Sequence, residues 1–308
     1  MHFGEYLKSC RLGLNLTQEQ LVQNLFIYDN ENFKNLETST ISKWEKGTPQ
    51  PSTSRKLSML KFFQEKTNMA LPFFSNYSVD EIKNMMSKDS MINFLGSSKQ
   101  VVLNFPTHSA IDISSIRKVS EIKNMDNILK ISLDVKNELY YDKCKLTVEH
   151  LEEWIKFPEN VFIVCKQYEQ FYGLLFTLRL KPEIFEKLVN FEMQEAEISS
   201  EHFASINEPA SNYFISFIAL NKEVASLLFI TYYSRLIKNQ KSIISVGGTT
   251  MVDDAKKLIE NMCISPYKEK QIEIKDNKTI KNISFKTSLK EFIACEGVIK
   301  MLFPKENG

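Results

Sequence analysis

Two kinds of hydrophobic spacing follow one another along this chain of 308 residues, and they limit what it can fold into. Up to about residue 66 the apolar residues recur every three or four positions, as on one face of a helix. From about residue 127, short apolar runs typical of strands alternate with helical patterns, which favours a central sheet covered by helices. The sequence therefore predicts an α+β protein with several domains.

Residues 1–68 are predicted to form an all-α bundle. Thr17 and Gln20 have the T-x-x-Q spacing of a capping box, so a helix begins there after a first, preceding one. Residues 26–36 are predicted to form an enlarged turn. A further helix is expected over 37–46, ended by glycine, and the last begins near Ser54.

Residues 69–124 are predicted to be a linking segment with some structure of its own. A short helix is expected over SVDEIKNMMSK, and a strand is indicated at Val101–Phe105. Residues 125–308 are expected to form an α/β domain with a mixed sheet flanked by helices. Its predicted strands are NILKISLDV, the two strands of the hairpin VFIVCKQYEQFYGLLFTLRL, NYFISFIAL and SIISVGG, and its predicted helices are TVEHLEEWIKF, KPEIFEKLVN, EVASLLFITYYSRLIKN and MVDDAKKLIENM.

Composition excludes several classes of protein. The net charge of +1 argues against a chain that binds polyanions over its whole surface. Five cysteines, odd in number and without a C-x-x-C pair, argue against a structural zinc site or a disulfide framework, and they favour a reducing cytoplasm. No run reaches the ~20 apolar residues of a membrane span. We therefore expect neither a metal nor a membrane partner.

The order LTQEQLVQNL and then LETSTISKWEKGTPQPS resembles the helix-turn-helix of the Cro/C1 (XRE-type) repressor family. Thr17 and Gln18 open the second helix, and Ile41 begins the I-S-x-W-E-x-G signature that ends at Gly47. The resemblance implies a DNA-binding domain whose recognition helix enters the major groove. Leu21 and Ile41 are 20 positions apart, further than the short turn of that family allows, so an insertion lies beside the recognition helix.

The recognition helix has an inward and an outward face. Leu36, Ile41 and Trp44 are spaced to pack it on the second helix, so the polar residues between them point outward. Short polar side chains can approach base edges, and nearby lysines and arginines can contact phosphates. From residue 34 to 66 there are seven basic and three acidic residues, a local net charge of +4. The predicted DNA-binding residues are Gln18, Thr38, Ser39, Ser42, Lys43, Lys46, Arg55 and Lys56.

The pattern from about 127 to 303 is similar to the GNAT acetyltransferase fold. The similarity is carried by YGLLFTLRLKPEIFEKL, by NYFISFIAL leading into EVASLLFITYYSRLIKN, and by SIISVGGTTMVDDAKKLIENMCIS. It implies that an acyl-CoA pyrophosphate would lie on backbone N–H groups of a glycine-containing loop, between the fourth strand and the long helix.

Several positions that would carry acyl transfer in that family differ here. The loop at 221–226 has no glycine, and Glu223 adds a negative charge where the pyrophosphate would lie. The family's tyrosine general acid aligns with Ile259, and a family glycine aligns with Cys263. We therefore predict a degenerate domain that is not an enzyme, with no catalytic residues and no cofactor.

The leading functional prediction is a sequence-specific transcriptional regulator that binds double-stranded DNA. One small helix reads few base pairs, so we expect a homodimer on a palindromic operator. The C-terminal domain would dimerise, sense an unknown small-molecule or protein effector, or do both. One alternative is an active N-acyltransferase using acetyl-CoA, with Tyr267 as proton donor and Glu208 or Glu223 as base. Another is an antitoxin-like interaction protein.

Overall fold

The computed structural model describes residues 1–95, 100–106, 110–139, 145–167, 170–273 and 279–304. The N-terminal part is helical. Its elements are α1 (Phe3–Gly13), α2 (Gln18–Tyr28), α3 (Asn30–Phe33), α4 (Thr38–Glu45) and α5 (Thr53–Thr67).

The rest of the chain alternates helices and strands around one sheet. The elements are α6 (Val79–Met85), α7 (Lys88–Leu95), β1 (Ile116–Lys118), α8 (Met125–Leu139), α9 (Val148–Ile155), β2 (Val161–Gln167), β3 (Gln170–Leu180), α10 (Pro182–Val189), β4 (Ala210–Ala219), α11 (Lys222–Lys238), β5 (Ile243–Thr250), α12 (Asp253–Asn261), β6 (Pro266–Glu273), β7 (Thr279–Ser288), α13 (Leu289–Ile293) and α14 (Glu296–Leu302).

The sheet has seven strands in the order β1-β2-β3-β4-β5-β7-β6. Neighbouring strands are antiparallel except for β4 and β5, which run parallel. The parallel pairing ends where Phe214 faces Gly248, although β4 continues to Ala219. The two strands therefore open at this end. The predicted mixed sheet flanked by helices is confirmed.

Local signals explain the N-terminal helices. The Thr17 hydroxyl accepts a hydrogen bond from Gln20 N at 3.1 Å, and the Gln20 side chain accepts one from Thr17 N at 2.8 Å. This is the predicted capping box, which satisfies N–H groups that a helix start leaves free. Ser52 caps α5 by accepting from Arg55 N. Gly47 follows α4 with φ of +89°, a conformation that glycine adopts without strain.

The insertion is ordered structure instead of an enlarged turn. Helix α2 continues through Tyr28, and the short helix α3 follows, with Phe33 in the core. The Asp29 carboxylate, which lies between α2 and α3, holds α3 against α5. It accepts from Asn32 N of α3 at 3.1 Å and from Ser58 Oγ of α5 at 2.6 Å. The prediction failed because polar residues formed caps and tertiary hydrogen bonds, which the composition of a turn does not reveal.

The predicted strand NILKISLDV is wrong, because these residues lie in α8. The sequence carries two spacings at once: Leu129 and Leu133 belong to both an alternating and a helical set. The structure buries the helical set, which includes Ile128, Leu129 and Leu133, and leaves Ile131 36% exposed. The sequence fits both a strand period and a helix period here, and packing against the sheet selects the helix.

The linking segment and the two ends of the chain share a core. Helices α6 and α7 pack on α11, and β1 joins the sheet at β2. Near the C-terminus, the Phe303 ring lies 5.2 Å from that of Phe3 and 5.0 Å from that of Tyr6. The predicted strand at Val101–Phe105 is an extended segment with a single bridge, from Val102 to Ala219. The N-terminal helices are thus fixed to the sheet domain by buried contacts.

The cysteine count argued against a disulfide framework, yet the described residues contain a disulfide. Cys263 and Cys295 form a disulfide, 32 positions apart in sequence, with Cα atoms 6.0 Å apart. It joins the end of α12 to the start of α14. Spacing did not reveal the pair because the fold, and not the local sequence, brings these two helix ends together.

Candidate nucleic-acid interface

Helix α4 is held by a carboxylate at its last turn. The Glu45 side chain accepts from Arg11 Nε at 2.6 Å and from Arg11 Nη2 at 3.0 Å. Gln18 Nε2 donates to the same carboxylate at 2.8 Å. Because Arg11 belongs to α1 and Gln18 begins α2, three helices meet at this single group. Such a paired, bidentate contact fixes direction as well as position.

The same contact is largely shielded from water. The side chains of Arg11 and Glu45 are 10% and 6% exposed. The hydrogen bond to Glu45 raises the pKa of Arg11, and partial burial opposes this. Gly4 permits the close approach of α1, because a Cβ there would lie 2.2 Å from the Trp44 carbonyl oxygen. The orientation of α4 is therefore built into the packing of α1.

The two faces of α4 differ as the spacing predicts. Ile41 and Trp44 are buried, at 0% and 3% exposure. On the other side Thr38, Ser39 and Lys43 are exposed. Ser39 Oγ donates to the Glu37 carboxylate at 3.1 Å, and no side chain caps the start of α4. The outer face thus offers hydroxyls, a lysine and the N–H groups of a first turn.

The remaining predicted contact residues lie in different surroundings. Ser42 is half-buried and Lys46 is exposed. Gln18 uses one amide hydrogen on Glu45. Arg55 is half-buried; its Nε donates to the Asn32 carbonyl at 3.0 Å, and its guanidinium lies 5.7 Å from the Trp44 ring centre. Arg55 thereby ties the insertion to the inner side of α4.

The prediction that Lys56 contacts a phosphate does not fit its position in the structure. It is 4% exposed, and its Nζ donates to the Gln50 side chain at 2.6 Å and to the Phe303 carbonyl at 3.3 Å. The ammonium also lies 5.3 Å from the Phe3 ring centre. The C-terminal end of the chain covers this lysine, so its place in a basic stretch of sequence did not predict its exposure.

Sequence reasoning missed Arg11, although its position carried a signal. It lies four positions after Leu7 and one after Cys10, on the inward side of an amphipathic helix. A basic residue on such a face needs a buried acid as its partner. Glu45, the acid of the I-S-x-W-E-x-G signature, is that partner.

A second polar cluster lies where β4 and β5 open. Lys136 of α8 contacts the Glu195 carboxylate and donates to the Ile215 carbonyl at 2.9 Å. The Tyr213 hydroxyl lies 3.2 Å from Glu195 Oε1 and 3.1 Å from the Thr249 hydroxyl. Lys136 is 5% exposed and Glu195 16%, so a largely shielded charged pair lies at the mouth of the opening. Behind it lies an apolar cavity of about 100 Å³.

Residues 221–226, which stand where the GNAT resemblance would place a pyrophosphate loop, contact the chain itself. Asn221 caps α11 by accepting from Val224 N at 3.0 Å, and its amide donates to the Phe105 carbonyl at 3.1 Å. Glu223 lies 3.4 Å from Lys88 of α7. Leu103 N donates to the Ala219 carbonyl at 2.8 Å, so the segment 101–105 runs along the end of β4.

The residues considered as alternatives for acid–base chemistry are scattered. Glu208 accepts from Ser205 N at 2.7 Å in a loop, which lowers the pKa of the Glu208 carboxyl. Tyr267 is 42% exposed on β6, with the Lys286 ammonium 4.2 Å from its ring centre. Among the described residues, no three metal-ligating side chains of histidine, cysteine, aspartate or glutamate come together. None of the helices described has the length and apolar character needed to cross a membrane.

Comparison with known proteins gives a limited result for the whole chain. No protein-family model matches it. The chain is 30% identical over 95 residues to the HTH-type transcriptional activator BcrR of Enterococcus faecalis. The match covers 31% of this chain and 42% of BcrR, so the chain spans less than half the length of that relative.

Several solved structures similar to this chain are acetyltransferases. A ribosomal-protein-alanine N-acetyltransferase from Brucella melitensis has a TM-score of 0.36 at 10% identity and covers 56% of this chain and 98% of its own. A GNAT-family acetyltransferase from Streptococcus pneumoniae gives the same four values. A probable acetyltransferase from Staphylococcus epidermidis has a TM-score of 0.34 at 8% identity, with coverages of 56% and 97%. These neighbours contradict the prediction that the chain is not an enzyme, and it is withdrawn.

Proposed function

We propose that this protein is a DNA-binding transcriptional regulator of the Cro/C1 type, with α4 as its recognition helix. The observation that carries the proposal is a polar, lysine-bearing helix face held in a fixed direction by the buried contact between Arg11 and Glu45. The similarity to the HTH-type activator BcrR supports it. In this proposal residues 1–68 bind DNA, 69–124 link, and 125–308 form the GNAT-like effector and dimerisation domain.

In this proposal, some residues on the outer face of α4 contact bases and others contact phosphates. Thr38, Ser39 and Ser42 have hydroxyls short enough to reach base edges when the helix lies in the major groove. Lys43, one turn further, reaches a guanine, where a lysine ammonium finds two acceptors. Lys46 contacts a phosphate and so fixes position without reading sequence.

The residues around α4 complete the interface. Gln18 keeps an amide hydrogen for a phosphate beside the start of α2, and Arg55 keeps the outer nitrogens of its guanidinium. Lys56 is left out because it is buried. A single eight-residue helix reads few base pairs, so the protein binds paired half-sites as a homodimer.

Selection of DNA by the purified protein, followed by fluorescence anisotropy on the selected site, tests the proposal. Lys43→Ala should weaken specific binding by about 1–3 kcal/mol and relax selectivity at one position. Lys46→Ala should weaken binding to all sequences alike and reduce the salt slope by about 1. Lys130→Ala, an exposed lysine on α8, is the matched control. Unchanged affinity of Lys43→Ala, or no selected sequence, would refute the assignment.

A second candidate function is acyl transfer by the C-terminal domain. The cluster of Lys136, Glu195 and Tyr213 at the opening of β4 and β5 favours it, since a carboxylate there can act as a general base. Calorimetric titration with acetyl-CoA tests it, with Glu195→Gln separating chemistry from binding. That variant should bind acetyl-CoA but lose transfer, whereas absence of binding by the wild-type protein would exclude this function.

A further inference from the structure

A cavity of about 580 Å³ lies on the part of the sheet domain where α9 and α11 end. This volume is within the range of sites for small molecules. Three basic side chains line it, Lys118, Lys156 and Arg235, and one acidic side chain, Glu152. The lining therefore has an excess of positive charge in a concave space, where the potential of like charges is concentrated.

Arg235 is the unusual member of this set. Its Nε is sealed from solvent and has no hydrogen-bond partner. Within the described ranges, its guanidinium makes no hydrogen bond or ion pair. Burial lowers the pKa of Arg235, and the charge of Glu121 partly opposes this effect. A guanidinium remains charged in a protein, so this half-buried side chain is a cation without a bonded anion among the described residues.

The chemistry of the lining specifies the ligand that would satisfy it. A guanidinium presents parallel N–H groups that match the oxygens of a carboxylate or a phosphate. Lys118 and Lys156 can add charge at the rim, where both side chains are exposed. The lining also includes apolar and aromatic side chains, among them Phe157 and Phe162. These surfaces accept a hydrophobic group attached to the anion.

We propose that this cavity is a binding site for a small organic anion, in which a carboxylate or a phosphate attached to an apolar group pairs with Arg235. Its lining shares no residue with the interface on α4 or with the cluster at the opening of β4 and β5, as far as the described residues define these sites. The proposal does not rest on DNA binding, and it can hold or fail independently.

The site is connected by hydrogen bonds to the segment that follows the N-terminal helices. Three positions after Arg235, Lys238 donates to the carbonyls of Ser75 and Tyr77 at 3.0 and 2.9 Å. Gln240 exchanges two hydrogen bonds with the backbone of Leu71, at 2.6 and 2.8 Å. The end of α11 thus joins the anion site to the chain that follows α5.

Calorimetric titration of the full-length protein tests the proposal with benzoate, phenyl phosphate, inorganic phosphate and the neutral isostere benzamide. At least one of the two aromatic anions should bind, more tightly than benzamide and than inorganic phosphate. The anion that binds more tightly shows whether the ligand of this site carries a carboxylate or a phosphate ester. Arg235→Met should weaken that binding by about 30-fold or more, because it removes the guanidinium that pairs with the anion.

Two controls keep the result interpretable. Lys187→Gln, an exposed lysine on α10 outside the cavity, should bind like the wild-type protein. Without ligand, Arg235→Met should unfold at the same or a higher temperature, because the cation it removes has no bonded partner. The proposal is overturned if neither aromatic anion binds, if benzamide binds equally well, or if Arg235→Met binds as tightly as wild type. A marked loss of stability would overturn it too, since Arg235 would then be a structural residue.

Discussion

Removing Arg11 should destabilise the N-terminal helices far more than a surface charge would. The variant Arg11→Met keeps an apolar stem but leaves the Glu45 carboxylate, which is 6% exposed, with Gln18 as its hydrogen-bond donor. Three hydrogen bonds are lost, two to Glu45 and one from Arg11 Nη1 to the Leu16 carbonyl, and each contributes about 1.5–3 kcal/mol because its donor is charged. Removal of one partner from a buried ion pair costs about 3–5 kcal/mol. We therefore expect the free energy of unfolding to fall by about 3–5 kcal/mol.

Tryptophan fluorescence can measure this loss locally. The chain has two tryptophans, Trp44 in α4 and Trp154 in α9. In a Trp154→Phe background the emission reports on α4 alone. At a urea m-value of about 2 kcal/mol per molar, Arg11→Met should lower the midpoint by about 1.5–2.5 M.

A second variant tests the cause of the effect. Adding Glu45→Gln to Arg11→Met removes the uncompensated buried charge, so the double variant should be more stable than Arg11→Met by about 1–3 kcal/mol. Glu5→Gln, in an exposed pair with His2 on the same helix, should cost less than about 1 kcal/mol. The reasoning is refuted if Arg11→Met costs no more than Glu5→Gln, or if the double variant is the least stable of the three.

Two further predictions concern the insertion and the disulfide. The hydrogen bond from Ser58, and then those from Asn32, lower the pKa of Asp29 below its ordinary value of 3.8. Its contribution to stability is therefore present above that value and lost as the pH falls through the lower folded-state pKa. Between about pH 5 and about pH 2.5, the urea midpoint measured by Trp44 fluorescence should fall less steeply in Asp29→Asn than in the wild-type protein. An unchanged pH dependence would mean that other groups produce it. Reduction of Cys263–Cys295 should destabilise the protein by about 2–4 kcal/mol. Melting with and without reductant checks this, and a Cys263→Ser/Cys295→Ser variant should be insensitive to the reductant.

Local sequence patterns predicted the faces of α4 and much of the sheet domain. Ile41 and Trp44 lie inside and Lys43 lies outside, because the helical repeat fixes which side chains share a face once one face is apolar. The hairpin of β2 and β3 was also predicted from the sequence, since two apolar runs separated by a short polar stretch favour pairing with each other. The predicted cap at Thr17 uses a bond over three residues, and such a signal does not depend on the rest of the fold.

Tertiary contacts decided the features for which the sequence offered two answers or none. Residues 125–139 carry both a strand and a helix period, and packing on the sheet selected the helix. Lys56 lies in a basic stretch, but Phe303, 247 positions away, covers it. Cys263 and Cys295 meet because two helix ends converge. The cavity around Arg235 likewise joins residues from 118 to 235. A sequence pattern specifies which face of an element is apolar, whereas exposure, pairing and cavities depend on what the rest of the chain places against it.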